Sequence, residues 1–288
     1  MNHHQTNDPS AKQWWKEPSL FWGGLLFLTL LCIITITLLV GINPTHIHVD
    51  FPLVTPLQAS TPFILGTDDL GRDILSRLSV GGSISLLVGL STGLVAVLVG
   101  GFYGLLAGYS SPKTRLWMLR ALDVLYSIPG LIVVVLLSIW LGRSWVSLVL
   151  AISLFFWPDT ARVVTTSVLQ LKEQEYMQAY QSLGGGFWRK LVHYLLPNML
   201  GVLLLSLLIT VPRAILTEST LSFIGLGVEP PLSSWGSLAS EGWQLVRVAP
   251  HILLLSGGCI VGTMLVFNLM GDGLKNHLDP LRKSSHSF

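Results

Sequence analysis

Long apolar runs separated by short polar stretches set the pattern of this chain, and most runs approach the length a helix needs to cross a bilayer. Spans are predicted at about 21–40, 84–109, 117–141, 145–169, 197–219 and 249–270. Ahead of the second span, Leu70, Ile74 and Leu78 recur at i, i+4, i+8. That spacing predicts an amphipathic helix on the membrane surface, capped by Asp68 and Asp69, with Arg72 and Asp73 as charge partners. The longest hydrophilic interruption of the C-terminal half is Glu175–Pro197. There Tyr176, Tyr180 and Leu183 share one helical face, while Glu175, Gln178 and Gln181 lie off it. A short amphipathic helix is predicted, stopped by Gly184-Gly185-Gly186, and a second run carrying Arg189, Lys190 and His193 leads to Pro197.

Inside the spans, small residues recur at every fourth position: Gly81, Ser85, Gly89 and Gly93, then Gly100, Gly104 and Gly108. Backbones can approach closely along such a row, so the second span is expected among neighbours. In the third, Pro129 after Ser127-Ile128 predicts a kink, and Asp123 is expected at the interface or facing protein. Asp159 and Arg162 lie one turn apart in the fourth, close enough to pair. Pro197 opens the fifth, and Arg213 and Glu218 near its far end are either functional groups or interfacial anchors. Residues 220–248 read as a loop, and Gly271-Asp272-Gly273 as the end of the sixth span.

Composition narrows the class. With 288 residues, 51% hydrophobic and only 11% charged, the chain has too few polar groups to coat a soluble globule. Its mean hydropathy of +0.64 agrees. A balance of 17 basic against 15 acidic residues gives no reason to expect nucleic acid. Cys32 and Cys259 sit in apolar runs, which argues against a disulfide framework; His3-His4 read as part of a disordered tail rather than a metal grip, and the His46/His48 pair lacks a third ligand for a metal. No convergent catalytic set and no G-x-x-x-x-G-K-[ST] motif is present, so any nucleotide must bind a partner. The first apolar run begins only near Leu20 without a cleavage site after it, so it is expected to stay as a span. Six spans put both termini on one side. Placing that side in the cytoplasm also places Lys12, Lys16, Lys113, Arg115, Lys172, Arg189, Lys190, Lys275, Arg282 and Lys283 there, as the distribution of basic residues in membrane proteins favours.

Several ordered matches give these features a family likeness. Gln178-Ala179-Tyr180, then Gly184 and Leu196-Pro197, fall where permease subunits of bacterial ABC importers carry a Glu-Ala-Ala run, a glycine and a Leu-Pro. Gln178 replaces the usual Glu and Tyr180 the second Ala. The run Gly66-Thr67-Asp68-Asp69-Leu70-Gly71-Arg72-Asp73 resembles the second of the two permeases in the dipeptide/oligopeptide/nickel class. Asp123 with Ser127-Ile128-Pro129, Ala161-Arg162, Leu221–Gly227, Trp235-Gly236 and Gly271–Leu274 with Leu278-Asp279-Pro280 resemble it too. The likeness implies an all-α polytopic permease domain over 20–282, between cytoplasmic tails at 1–19 and 283–288, in the bacterial inner membrane. It further implies a homologous permease partner, two ATP-binding subunits holding ATP and Mg, an extracytoplasmic binding protein, and no cofactor in this chain. Residues 175–184 become the coupling helix, with Glu175, Tyr176, Gln178, Ala179, Tyr180, Leu183, Gly184 and Arg189 facing an ATPase. Peptide cargo is expected, with nickel or a metal chelate as the alternative. A secondary transporter driven by an ion gradient would instead show inverted repeats and midplane acidic groups, and a membrane-embedded enzyme a convergent catalytic set.

Overall fold

Apolar stretches that leave water behind must satisfy their backbone groups internally, and a helix does so within one segment. A computed structural model of the chain describes residues 18–39, 45–48, 50–56, 63–175 and 194–278. Eight helices lie among them: α1 (Pro18–Leu39), α2 (Ile74–Tyr109), α3 (Pro112–Tyr126), α4 (Gly130–Leu141), α5 (Trp145–Lys172), α6 (Leu196–Phe223), α7 (Trp235–Gln244) and α8 (Pro250–Leu278). No strand occurs among the described residues beyond an isolated bridge from Thr67 to Asp73. Four helices, α2, α5, α6 and α8, are each long and apolar enough to cross a membrane, and α3 with α4 makes a fifth, bent candidate. α1 adds 22 residues with no charged side chain, about 33 Å at helical rise. The predicted span count is therefore met approximately, and the all-helical class fully.

α2 is the mast of the bundle, and its small residues explain why. A Cβ on Gly100 would stand 2.4 Å from the Trp157 carbonyl oxygen, and one on Gly104 2.6 Å from that of Ala161. Gly89 and Gly93 similarly admit Ile215, Val211 and Leu207 of α6. The order of these contacts makes α2 parallel to α5 and antiparallel to α6. α1 and α8 pack antiparallel, with Gly23 against Met270 and Gly273 against Leu20. One end of the bundle thus collects the start of α1 and the ends of α2, α5 and α8. Lys113, Arg115, Lys172 and Lys275 belong to that end. At the other end lie the start of α2 and α7.

Four features differ from the sequence expectation. The surface helix expected from Leu70 and the span expected from residue 84 are one helix beginning at Ile74. Asp73, not Asp68 or Asp69, is its cap, accepting from the Ser76 N–H at 2.8 Å. Upstream, Gly66 and Gly71 take positive φ of 81° and 74° and turn the chain too tightly for a helix. The third span is not merely kinked: α3 and α4 meet at 76°. Pro129 removes a backbone donor and disfavours helix at the residue before it, so Ser127-Ile128-Pro129 becomes a break. Finally, the stretch read as a loop contains α7, set by a reciprocal Ser234–Ser237 capping box, and α8 runs through Gly271-Asp272-Gly273 to Leu278.

Candidate functional site

Polar side chains gather in two places within the described residues. The first is at the α7 end. Asp68, 1% exposed, accepts from Arg72 Nε at 2.7 Å and from Arg77 Nη1 at 2.8 Å, and also from the backbone N–H groups of Leu70 and Arg72. Arg77, 5% exposed, completes the cluster with a fork–fork pair to Glu241 of α7, whose Nη2–Oε1 arm is 2.9 Å. Gly71 permits the turn, since a Cβ there would lie 2.2 Å from the His48 carbonyl oxygen. Asp69 is exposed. The signature Asp68–Asp73 therefore builds a clasp between the chain entering α2 and α7.

Below the clasp, Glu218 of α6 is fully buried. Ser222 donates to its Oε1 at 2.6 Å and Ser85 of α2 to its Oε2 at 3.0 Å, while Ser219 stands at 3.4 Å. Ser85 Oγ in turn accepts the Trp235 N–H, and the Trp235 ring donates to the Leu78 carbonyl. One carboxyl group thereby ties α2, α6 and α7 together. Sequence reasoning named Glu218 but missed its cage, because Ser85 closes it from α2, 133 residues away.

The second gathering lies where the end of α3 meets the middle of α5 and the second half of α6. Arg162 pairs with Asp123, and Asp159 accepts from Tyr126 and, at 2.6 Å, from Arg213. The Asp159–Arg162 pair expected within α5 is not made. One turn apart they diverge to different neighbours, and both reach across helix boundaries instead. Arg162 and Arg213 also sit 4.7 and 4.9 Å over the rings of Tyr126 and Phe156. Side-chain exposures of 59% for Asp123 and 51% for Arg213 leave this seam open on the surface of the single chain. Tyr126 is the member that sequence reasoning missed, although it follows Asp123 by three residues on the same face.

The predicted coupling residues Tyr176, Gln178, Ala179, Tyr180, Leu183, Gly184 and Arg189 lie outside the described residues. Their flanks do not. Exposed Glu175 follows α5, and Leu171, Tyr194, Leu195 and Met199 join Val164 and Val168 in one apolar cluster. Lys172 caps the neighbouring end of α2 by donating to the Gly108 carbonyl at 3.2 Å. The stretch thus leaves and rejoins the bundle at one packed base.

Comparison with known proteins accords with this architecture. The oligopeptide transport system permease protein OppC of Bacillus subtilis is 38% identical over 276 residues, covering 93% of this chain and 90% of that protein. OppC of Escherichia coli K12 is 43% identical, over 75% of this chain and 71% of its own length. Among solved structures, the MetNI methionine ABC transporter in an inward-facing conformation aligns with a TM-score of 0.59 at 17% identity, covering 70% of this chain and 96% of the matched one, a likeness of fold. Residues 100–284 match the family described as binding-protein-dependent transport system inner membrane component. With that match and relatives of this similarity along most of its length, the chain belongs to this family, as the permease subunit of an ABC importer.

Proposed function

We propose that this subunit forms, with a second homologous permease, the passage for di- or oligopeptides across the bacterial inner membrane. Two ATP-binding subunits drive it through the stretch 175–197, and an extracytoplasmic binding protein delivers the cargo. The observation that carries the reading is the open seam. Charged groups at mid-span are too costly to face lipid, so this face needs a second protein or water against it. The peptide assignment draws support from relatives named as oligopeptide and dipeptide permeases. Both termini lie in the cytoplasm, at the end bearing Lys113, Arg115, Lys172 and Lys275. ATP and Mg bind the partner subunits, whose closure shifts the spans between outward- and inward-open states. Gly184 is the turn that lets residues 175–184 insert as a unit into an ATPase groove, with Tyr176, Tyr180 and Leu183 as contacts and Arg189 beyond.

The test is purification from gently solubilised membranes, followed by reconstitution of whatever co-purifies with the binding protein. A second permease and ATPases, with ATP-dependent uptake of a labelled tripeptide, support the proposal. Uptake of nickel or a metal chelate in place of peptide would overturn the cargo, and gradient-driven uptake by the chain alone would overturn the mechanism. Gly184→Val is expected to keep the subunits together while abolishing binding-protein-stimulated ATPase activity.

A further inference from the structure

At 1.5 Å per residue, Asp159 lies about 21 Å from the first residue of α5 and about 20 Å from its last, so the seam sits near mid-depth of the bundle. A cavity of about 360 Å³ opens beside it between α5 and α6, lined by Thr160, Ser206 and Thr210 as well as Asp159, Arg162 and Arg213. A third observation is independent of the charges. Each element that supplies the seam carries a proline next to it: Pro129 after α3, Pro158 before Asp159, and Pro212 before Arg213. Proline cannot donate to the carbonyl four residues earlier, which frees the backbone oxygens of Leu154 in α5 and Leu208 in α6 from their usual helical donor. Broken helices of this kind at membrane depth are tolerated where they line a cavity or meet protein.

We propose that this seam contacts the cargo in transit and recognises the two ends of a zwitterionic peptide. This rests on the peptide-importer reading above. Arg162 and Arg213 exchange their aspartate partners for the peptide carboxylate, whose planar geometry suits a guanidinium fork. Asp123 and Asp159, so released, receive the peptide ammonium group. Each exchange replaces one ion pair by another. Entry therefore needs little net energy and exit meets no deep well, as conduction through a selective path requires. Since the contacts go to termini, the passage is indifferent to side chains while rejecting molecules without both charges.

The experiment uses the reconstituted complete importer at saturating binding protein, with a labelled tripeptide in free, N-acetylated and C-amidated forms. For Arg213→Gln, the ratio of free to C-amidated uptake is expected to fall about tenfold relative to wild type. For Asp123→Asn, the ratio of free to N-acetylated uptake should fall similarly. A fall of all three peptides by one common factor, or unchanged ratios with uptake intact, would overturn the proposal and leave the importer reading standing. If the wild-type complex takes up no peptide at all, both readings fall. A second measurement does not depend on transport. With Cys32 and Cys259 changed to Ser, Val163→Cys and Ile209→Cys, both on the cavity wall, should react with a membrane-impermeant thiol reagent in the assembled complex and be protected by the free tripeptide. Complete shielding without peptide would make this face a closed contact with the second permease, against the proposal.

Discussion

Two arginine–carboxylate clusters of nearly the same composition do opposite things in this bundle. At the α7 end, Arg77 and Asp68 are buried, and every charge is matched by a partner or by backbone N–H groups. Along α3, α5 and α6 the pairs are as short but stand on the surface of the chain. Residue type does not separate the two. What separates them is whether the protein's own packing closes over the charges, which turns one cluster into a fastening and leaves the other available to something outside the chain.

Mutations that break this contrast should scale with burial. The largest effect is expected for Arg77→Ala, which takes from buried Asp68 the more buried of its two arginines, leaving Arg72, and removes the bidentate link to Glu241. About 2–4 kcal/mol of stability should be lost, seen as a large drop in the unfolding temperature of the purified complex. A change below about 1 kcal/mol would show the clasp to be dispensable. Glu218→Gln comes next, at about 1–3 kcal/mol, because an amide offers one acceptor where two carboxylate oxygens now receive hydroxyls. Gly100→Val should cost about 1–3 kcal/mol by forcing α2 from α5, since its obstacle is a backbone carbonyl that cannot rotate away. A Gly257→Ala control, inside α8 with open space around its Cβ, should cost nothing and gain up to about 0.5–1 kcal/mol of helix stability. Asp123→Asn is placed last for stability, at under about 1 kcal/mol given its exposure. It is expected to be the variant whose transport suffers far more than its fold; equal losses in both would erase the distinction between the clusters.

The sequence carried the architecture further than it carried the sites. Glycines four apart announced the buried face of α2, and each now marks a close approach to α5, α6 or α7. Ser127-Ile128-Pro129 announced a kink, yet a proline fixes only that the ladder is interrupted, while the size of the bend depends on what α4 packs against. The start of α2 was misjudged by the apolar repeat at Leu70, Ile74 and Leu78, because two positive-φ glycines upstream outweigh it. Asp159 and Arg162 illustrate the remaining gap. Their spacing allowed a bond within one helix, and only the third dimension supplied Asp123, Tyr126 and Arg213 as better-placed partners. Glu241, 164 residues from Arg77, had no local signal at all.

The unbroken length of α2 has a mechanical corollary. It contains no proline, and its 36 residues extend about 54 Å, from the arginine that grips α7 to the glycine that receives Lys172 beside the departing polar stretch. Such a rod is a lever. Tilted by about 5° around its middle as one body with the α5 and α6 faces packed on it, it would carry its two ends about 5 Å past each other in opposite directions, so a push at one face of the membrane becomes a displacement at the other.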